Sequence, residues 1–383
     1  MHQHVFFRSL IALACTVFLH ASANAAPTPI PAAPSINASA YLVIEHHSGR
    51  VIAQKNPDQQ VEPASITKLM TAYVAFDKLR EGQVALTDEI TVSEKAWRAE
   101  GSRMYIEVGK KVRMDQLLKG MIIQSGNDAS IAIAEHIAGT EETFAALMNQ
   151  YAGKLGMTSS YFANSNGLPA PGHKMSARDI VTLTQRLIDD FPDHYPLYSE
   201  KSFTFNDIAQ YNRNNLLWRD ASVDGVKTGF TEAARYCLVS SAKRGEMRVI
   251  SVVLGTPSEE ARIASSQSLI NYAFNFYETH KLYAAGQVIT TEPVFKGTSE
   301  TTDLGLTDDL FVTIPRGQYE SLGASMNLPN TLIAPLTADK AIGSVVVRLN
   351  DQTLAERDLF PVTPVQSGSF FRRAIDEVRL WFE

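Results

Sequence analysis

Cysteine is nearly absent: the 383 residues hold two, Cys15 and Cys237. Cys15 lies in an N-terminal stretch expected to be removed on export, which leaves Cys237 with no internal disulfide partner. Cys237 stands in the apolar run 236–239 and reads as a small buried hydrophobe rather than a reactive thiol. Stability then rests on an apolar core, which a chain of this length with 45% hydrophobic residues can supply. No apolar run reaches the ~20 residues that a spanning helix requires. Basic runs are also missing, and the net charge of −6 is mild, so there is neither a footprint for nucleic acid nor a polybasic patch for anionic lipid. None of the nine histidines belongs to a His-Glu-x-x-His pair, and His46 and His47, adjacent on an expected strand, should point to opposite faces. That disfavours a zinc peptidase, and no metal or other cofactor is expected. Gly-x-Ser-x-Gly is absent too, which disfavours an α/β-hydrolase.

What is present divides the chain into five parts. Residues 1–25 combine Arg8, an apolar run over 10–19 and the small-residue end Ala23-Asn24-Ala25, the pattern of a secretory signal; an uncleaved anchor is the alternative. Residues 26–37 are rich in Pro and Ala and read as a flexible lead-in. From 38 to 282, strand signals at both ends enclose helical spacing. The first hairpin covers 41–44 and 51–53. A helix begins just after Pro63, and a helical block covers 114–157. A second hairpin covers 236–239 and 249–254, and a helix covers 259–277. This is an α+β domain: an antiparallel sheet assembled from distant segments with helices packed on it. Residues 283–364 lose helical periodicity and read as a small all-β domain. Residues 365–383 form an amphipathic helix with Phe371, Ala374, Ile375, Val378, Trp381 and Phe382 on one face, suited either to an interfacial membrane anchor or to packing on the β-domain.

Three short motifs carry the chemistry: Ser65-Ile66-Thr67-Lys68, Ser125-Gly126-Asn127 and Lys227-Thr228-Gly229. Each alone is weak; Ser-x-x-Lys recurs at 240–243, and Ser-x-Asn at 35–37 and 325–327. Their order and spacing give the signal. On a helix, Ser65 and Lys68 share a face, and a serine hydroxyl needs a base to become a nucleophile. A lysine serves only if its pKa falls from ~10.4 towards ~7–8, through burial and a neighbouring cation, for which Lys227 is the candidate. Ser65 near a helix N-terminus gains its own backbone N–H as half of an oxyanion hole; the N–H of Phe230 is the candidate for the other half, provided its segment is an edge strand. Ser125 offers a hydroxyl for proton relay and Asn127 an amide for a peptide group, although both residue types also suit a helix-capping turn.

These motifs, together with 123–129, Asn212-Arg213-Asn214 ahead of Leu216-Leu217-Trp218, Asp224-Gly225-Val226 ahead of Lys227, Arg262, the 274–278 stretch, Ala334-Pro335-Leu336 and the terminal helix, resemble the membrane-anchored, low-molecular-mass penicillin-binding proteins that are serine D-alanyl-D-alanine carboxypeptidases. The resemblance covers about 38–383. It implies a β-lactamase/transpeptidase-like catalytic domain and removal of the terminal D-Ala from peptidoglycan stem peptides through an acyl-enzyme on Ser65, which β-lactams would also acylate. It implies catalytic roles for Ser65, Lys68, Ser125, Asn127 and Lys227. Substrate contacts would come from Lys227, Thr228, Gly229, Phe230 and Arg213, with Arg262 adding positive charge. It further implies an exported protein, peripheral on the periplasmic face of the inner membrane. One departure is Phe230, where the family often has His after Lys-Thr-Gly. Two rivals stay open. A serine β-lactamase shares the acylation groups, but its class A form needs a further Glu and the 161–179 region contains none. A binding protein without turnover is the other.

Overall fold

The computed structural model describes residues 30–381; the expected signal segment lies outside the described residues. A five-stranded antiparallel sheet runs in the order Val51–Lys55, Ala40–Glu45, Met247–Thr256, Arg235–Arg244, Val223–Thr231. N-terminal strands thus pair with strands some 200 residues later, Leu42 opposite Val252. Side chains alternate between the faces of a strand, and here each face meets its own helical layer. Ala40, Leu42 and Ile44 pack with the helices Lys68–Arg80, Asn127–Ala138, Glu141–Lys154 and Ala177–Asp190. Tyr41 and Val43 pack with the helix Glu259–Phe276. Because both faces are covered, strands such as Met247–Thr256 are almost continuously apolar, with no polar face.

The lead-in is less free than its composition suggests. Ile30, Ala33 and Ile36 pack on the second layer, and Tyr272 Oη donates to Pro31 O at 2.8 Å. His46 and His47 lie in the turn after the first strand, not on it, with ring centroids 4.8 Å apart; the tight return to Val51 breaks the alternation that would have separated them. His46 Nε2 is spent on Asp189, at 2.8 Å. Among the described residues no cluster of metal-ligating side chains occurs.

The second region is all β. Its six-stranded sheet has its own core, which includes Leu304, Val345, Val347 and Leu359. The strand Tyr277–Tyr283 straddles the expected boundary at 282/283 and pairs with Leu310–Pro315, so it continues directly from the helix Glu259–Phe276 into the second region. Residues 365 and 367 still bridge to Leu336 and Gly297, and the terminal helix itself is Phe370–Arg379, capped by Ser369. The two regions are joined by a buried polar knot. Thr313 Oγ1 donates to Glu45 Oε2 at 3.2 Å, Ser48 Oγ donates to the same carboxylate oxygen at 2.8 Å, and Arg50 Nη1 donates to Thr313 O at 2.8 Å.

Candidate active site

Pro63 leads into a 3-10 turn, Ala64–Thr67, that runs straight on as the helix Lys68–Arg80. The i, i+3 spacing places Lys68 Nζ 3.0 Å from Ser65 Oγ. Lys68 is 1% exposed. Its amine also donates to Asn127 Oδ1 at 2.6 Å and to Asn166 O at 2.7 Å. Both partners are carbonyl oxygens, which only accept, so they fix two N–H bonds; the third neighbour is a hydroxyl, which can donate to a neutral amine. Burial pushes the Lys68 amine down to about 7, against the opposing pull of Asp128 and Glu141. A substantial neutral fraction near pH 7 therefore has its lone pair towards Ser65. Burial, rather than the neighbouring cation expected from the sequence, is the cause. Lys227 is itself held well below the usual lysine range, by burial first and then by Lys68, Arg213 and Arg262.

A second serine–lysine pair faces the first. The helical turn Gly120–Gln124 is wound as a π-helix and ends at Ser125, whose φ of 66° is left-handed. Lys227 Nζ donates to Ser125 Oγ at 2.8 Å and to Thr228 O at 3.1 Å. Asn127 opens the next helix. Its oxygen is engaged by Lys68, and its Nδ2 donates to Glu100 O at 2.6 Å, which leaves one N–H for a substrate. Asp128, 1% exposed, accepts the N–H groups of Met104, Tyr105 and Ile106 and so ties the 101–106 loop to the start of this helix.

Ser65, Ser125 and Asn127 line one cavity of about 490 Å³ together with Arg213, Thr228 and Gly229. Phe230 and Arg262 complete its far wall, and Lys68 and Lys227 lie beneath it, each bonded to one of its serines. Val223–Thr231 is the edge strand of the sheet. It approaches the nucleophile turn so closely that a Cβ on Gly229 would sit 3.0 Å from Pro63 O, and a larger residue would have to push the turn back by a few tenths of an ångström. Phe230 is 44% exposed and rests on Tyr236, with ring centroids 4.5 Å apart. Arg262 is buried, its Nη2 donates to Glu259 Oε1 at 3.1 Å, and its guanidinium carbon lies 5.6 Å from the Tyr236 ring centroid. Arg213 sits on the loop after the 202–211 hairpin and is exposed to the cavity. Cys237, on the strand behind, is fully buried, and burial pushes its thiol up to about 11.

Three supporting residues were given no role by the sequence analysis. One is Asp128, already described. Another is Asn166, the carbonyl partner of Lys68. The third is Glu141, at the start of the helix Glu141–Lys154. Glu141 Oε1 accepts from Ser165 N at 3.1 Å, Ser165 Oγ at 2.7 Å and Asn166 Nδ2 at 3.2 Å. The 161–179 region has no Glu, and Glu141 clamps its loop without lining the cavity. The same loop is pinned elsewhere. His173 Nε2 lies 2.8 Å from Thr67 Oγ1, with burial lowering that imidazole to about 4. A Cβ on Gly167 (φ +87°) would fall 1.9 Å from Ala64 O. The only usable signals in sequence were Asp128 beside Ser-Gly-Asn and the Asn-Gly pair at 166–167.

Comparison with known proteins gives the family. A family model described as D-alanyl-D-alanine carboxypeptidase matches residues 27–258, and one described as the C-terminal domain of penicillin-binding protein 5 matches residues 277–367. The chain is 40% identical to the D-alanyl-D-alanine carboxypeptidase DacA of Escherichia coli over 379 residues, covering 96% of this chain and 94% of the relative. It is 41% identical to DacC of the same organism over 383 residues, covering 98% and 96%. The crystal structure of penicillin binding protein 5 from Haemophilus influenzae superposes with a TM-score of 0.84 at 38% identity, covering 88% of this chain and 100% of that one. With its fold, its order of motifs and its two serine–lysine pairs, the chain belongs to the D-alanyl-D-alanine carboxypeptidase family.

Proposed function

We propose that this protein is a serine D-alanyl-D-alanine carboxypeptidase that trims the terminal D-Ala from peptidoglycan stem peptides and is acylated by β-lactams. The observation that carries the reading is the 3.0 Å contact between Lys68 Nζ and Ser65 Oγ, with two carbonyls holding the other N–H bonds of the amine. Neutral Lys68 takes the Ser65 proton as Oγ attacks the penultimate D-Ala carbonyl. The oxyanion collects at the backbone N–H groups of Ser65 and Phe230. The carbon–nitrogen bond breaks, and the leaving D-Ala amine takes a proton relayed through the Ser125 hydroxyl, beside Lys227. Water then hydrolyses the acyl-enzyme. Asn127 orients the peptide group with its remaining N–H. Thr228 and Arg213 hold the terminal carboxylate, Gly229 keeps the edge strand close to the serine, and Arg262 with Lys227 adds positive charge.

The expected location is the periplasmic face of the inner membrane, reached by the signal segment and held peripherally. What supports peripheral attachment is the orientation of the C-terminal helix. Its charged face is occupied: buried Asp376 accepts Lys296 N at 2.7 Å, and Arg372 pairs with Glu300 at 3.3 Å. Its apolar face is not, with Phe371 78%, Ile375 57%, Val378 54% and Trp381 79% exposed. Among the described residues no helix is long and apolar enough to cross a membrane. The domain plan that fits is a carboxypeptidase domain over 38–282, a β-rich spacer over 283–364 and an anchor helix over 365–383, the strand and helix bounds given above refining its limits.

The test pairs fluorescent-penicillin labelling with release of D-Ala from a peptide ending in D-Ala-D-Ala. Wild type should do both and Ser65→Ala neither. Rapid loss of label without D-Ala release indicates a β-lactamase, and labelling without either turnover indicates a binding protein.

A further inference from the structure

Arg103 and Tyr105 form one wall of the active-site cavity, and that wall has a second side. It faces a cleft of about 300 Å³ that the reaction itself does not use. Three separate segments build the cleft. Trp97 ends the short helix Glu94–Trp97; Arg103, Tyr105 and Glu107 stand on the loop beyond it; Asn206 and Ile208 flank the tip of the 202–211 hairpin. Trp97 is 41% and Tyr105 48% exposed. Tyr105 has a φ of 69°, a left-handed conformation that is unfavourable for a bulky side chain. Buried Asp128 holds it there by accepting the N–H groups of Met104, Tyr105 and Ile106. Asn206 and Asp207, with φ of 48° and 59°, form the two-residue turn of the hairpin, which fixes Asn206 at the rim. Backbone strain that is held in place so as to point a ring at solvent marks a contact surface.

The polar groups of the cleft are free to meet a ligand. Among the described residues, the exposed side chains of Arg103, Glu107 and Asn206 have no hydrogen-bond or ion-pair partner; Arg103 only lies over the Tyr105 ring, 5.6 Å from its centroid. Rigid aromatic faces ringed by a guanidinium, a carboxylate and an amide suit a pyranose. The C–H face of the sugar lies on a ring, and its hydroxyl and acetamido groups meet the donors and acceptors. An acyl chain would leave the three polar groups without partners, and a polyanion would meet Glu107 on a protein of net charge −6. We infer that this cleft binds an N-acetylated sugar of the glycan strand that carries the reacting stem peptide, so that the protein acts on glycan-linked stems in preference to free peptides. The inference rests on the proposed carboxypeptidase reading and adds a second contact with the same polymer. A stem of four residues between sugar and reacting carbonyl spans at most about 14 Å, long enough to cross the wall that the two spaces share. The contact is remote from the reacting atoms and is made equally in ground and transition states, so it lowers KM and leaves kcat alone.

The experiment measures kcat and KM for D-Ala release by the full chain from a pentapeptide ending in D-Ala-D-Ala, free and joined to an N-acetylglucosaminyl-N-acetylmuramyl disaccharide. The linked form should have a KM lower by about tenfold or more at similar kcat. Trp97→Ala should remove most of that advantage, and Trp97→Phe, which keeps a ring, should retain it; penicillin labelling reports that each variant is folded. Titration of tetra-N-acetylchitotetraose into the penicillin-acylated protein reads sugar binding without the peptide. A linked-to-free KM ratio within about twofold of one, or an advantage that Trp97→Ala leaves in place, overturns the inference and leaves the carboxypeptidase reading intact. So does binding of the chitotetraose with no preference for the linked peptide, which would give the cleft to a neighbouring strand. Absence of D-Ala release from both substrates overturns both readings.

Discussion

Two regions of the described chain, the active site and the C-terminal helix, break the ordinary burial rule in opposite directions. At the active site, Lys68 and Lys227 are 1% and 2% exposed, in a position where an amine is costly to desolvate. At the C-terminal helix, Phe371 and Trp381 are 78% and 79% exposed, in a position where burial is favourable. The buried lysines are satisfied atom by atom: Lys68 by a serine and two carbonyls, Lys227 by a serine and a carbonyl. The exposed aromatics have polar neighbours on the other side of their helix that are tied to the β-domain, Asp376 to Lys296 N and Arg372 to Glu300, so the helix cannot simply roll over and hide them. A charge inside needs partners in exact register; an apolar face outside needs only that nothing else in the chain covers it. The first kind of exception requires a rigid frame, the second a single amphipathic turn pattern.

The largest effect should come from removing one of the buried amines. Lys68→Ala should slow penicillin acylation by at least about a thousandfold, measured by stopped-time labelling, because the serine loses its base. In wild type the acylation rate should fall as pH drops through about 7, since protonation removes the Lys68 lone pair, and it should hold level above that value. A rate independent of pH between 5 and 8, in the range where imidazoles and this lysine titrate, argues that Lys68 is not the base.

Next in size is the apolar face. Phe371→Glu combined with Val378→Glu should reduce binding to phospholipid vesicles by at least about a hundredfold, at about 1.5 kcal/mol or more for each lost side chain. Binding by wild type should survive high salt, because Asp376, Arg372, Glu377 and Arg379 are paired within the protein. Salt-sensitive binding would make attraction between charges, not apolar burial, the source of affinity.

A smaller change should follow Glu141→Gln. The carboxylate raises the Lys68 pKa through space, as Asp128 does. Without it the amine should lose its proton more easily, moving the acid limb of the acylation profile to lower pH while most of the rate at pH 8 is kept. A flat fall in rate with no movement of the limb would reduce Glu141 to a loop clamp. The smallest effect on activity is at the joint between the regions: Thr313→Val should cost about 1–3 kcal/mol in thermal stability, because the lost hydroxyl lies within hydrogen-bond distance of Glu45, Ser48 and Thr279, and leave acylation unchanged. A change in acylation would show that the two regions are coupled rather than independent parts.

The helices around the site and the hairpins of the sheet were legible because their apolar periodicity and caps are local; Gly139 ends one helix, and Ser65 stands in the turn that opens another. The three motifs were legible because their order along the chain is itself a signal. Glu141 and Asn166 were not, since each acts through a partner distant in sequence: Lys68 lies 98 residues before Asn166. The lead-in and the histidine pair were misjudged for a related reason. A Pro-rich stretch looks free, and two adjacent residues look strand-like, until the surface each packs against is known. Likewise the strand Tyr277–Tyr283 has a partner, Leu310–Pro315, that no local pattern announces.

By itself the sequence determined which groups are available, a serine with a lysine three residues on, a second serine, a Lys-Thr-Gly edge and an apolar helical stripe at the end, because such patterns are written within a few residues. Only the tertiary structure decided what those groups become. It sealed Lys68 under the cavity wall so that desolvation brings its pKa to about 7, set Gly229 against the nucleophile turn, and turned the charged side of the terminal helix inward. Desolvation and contact depend on what the whole chain brings alongside a residue, and that information is spread over all the segments that meet there.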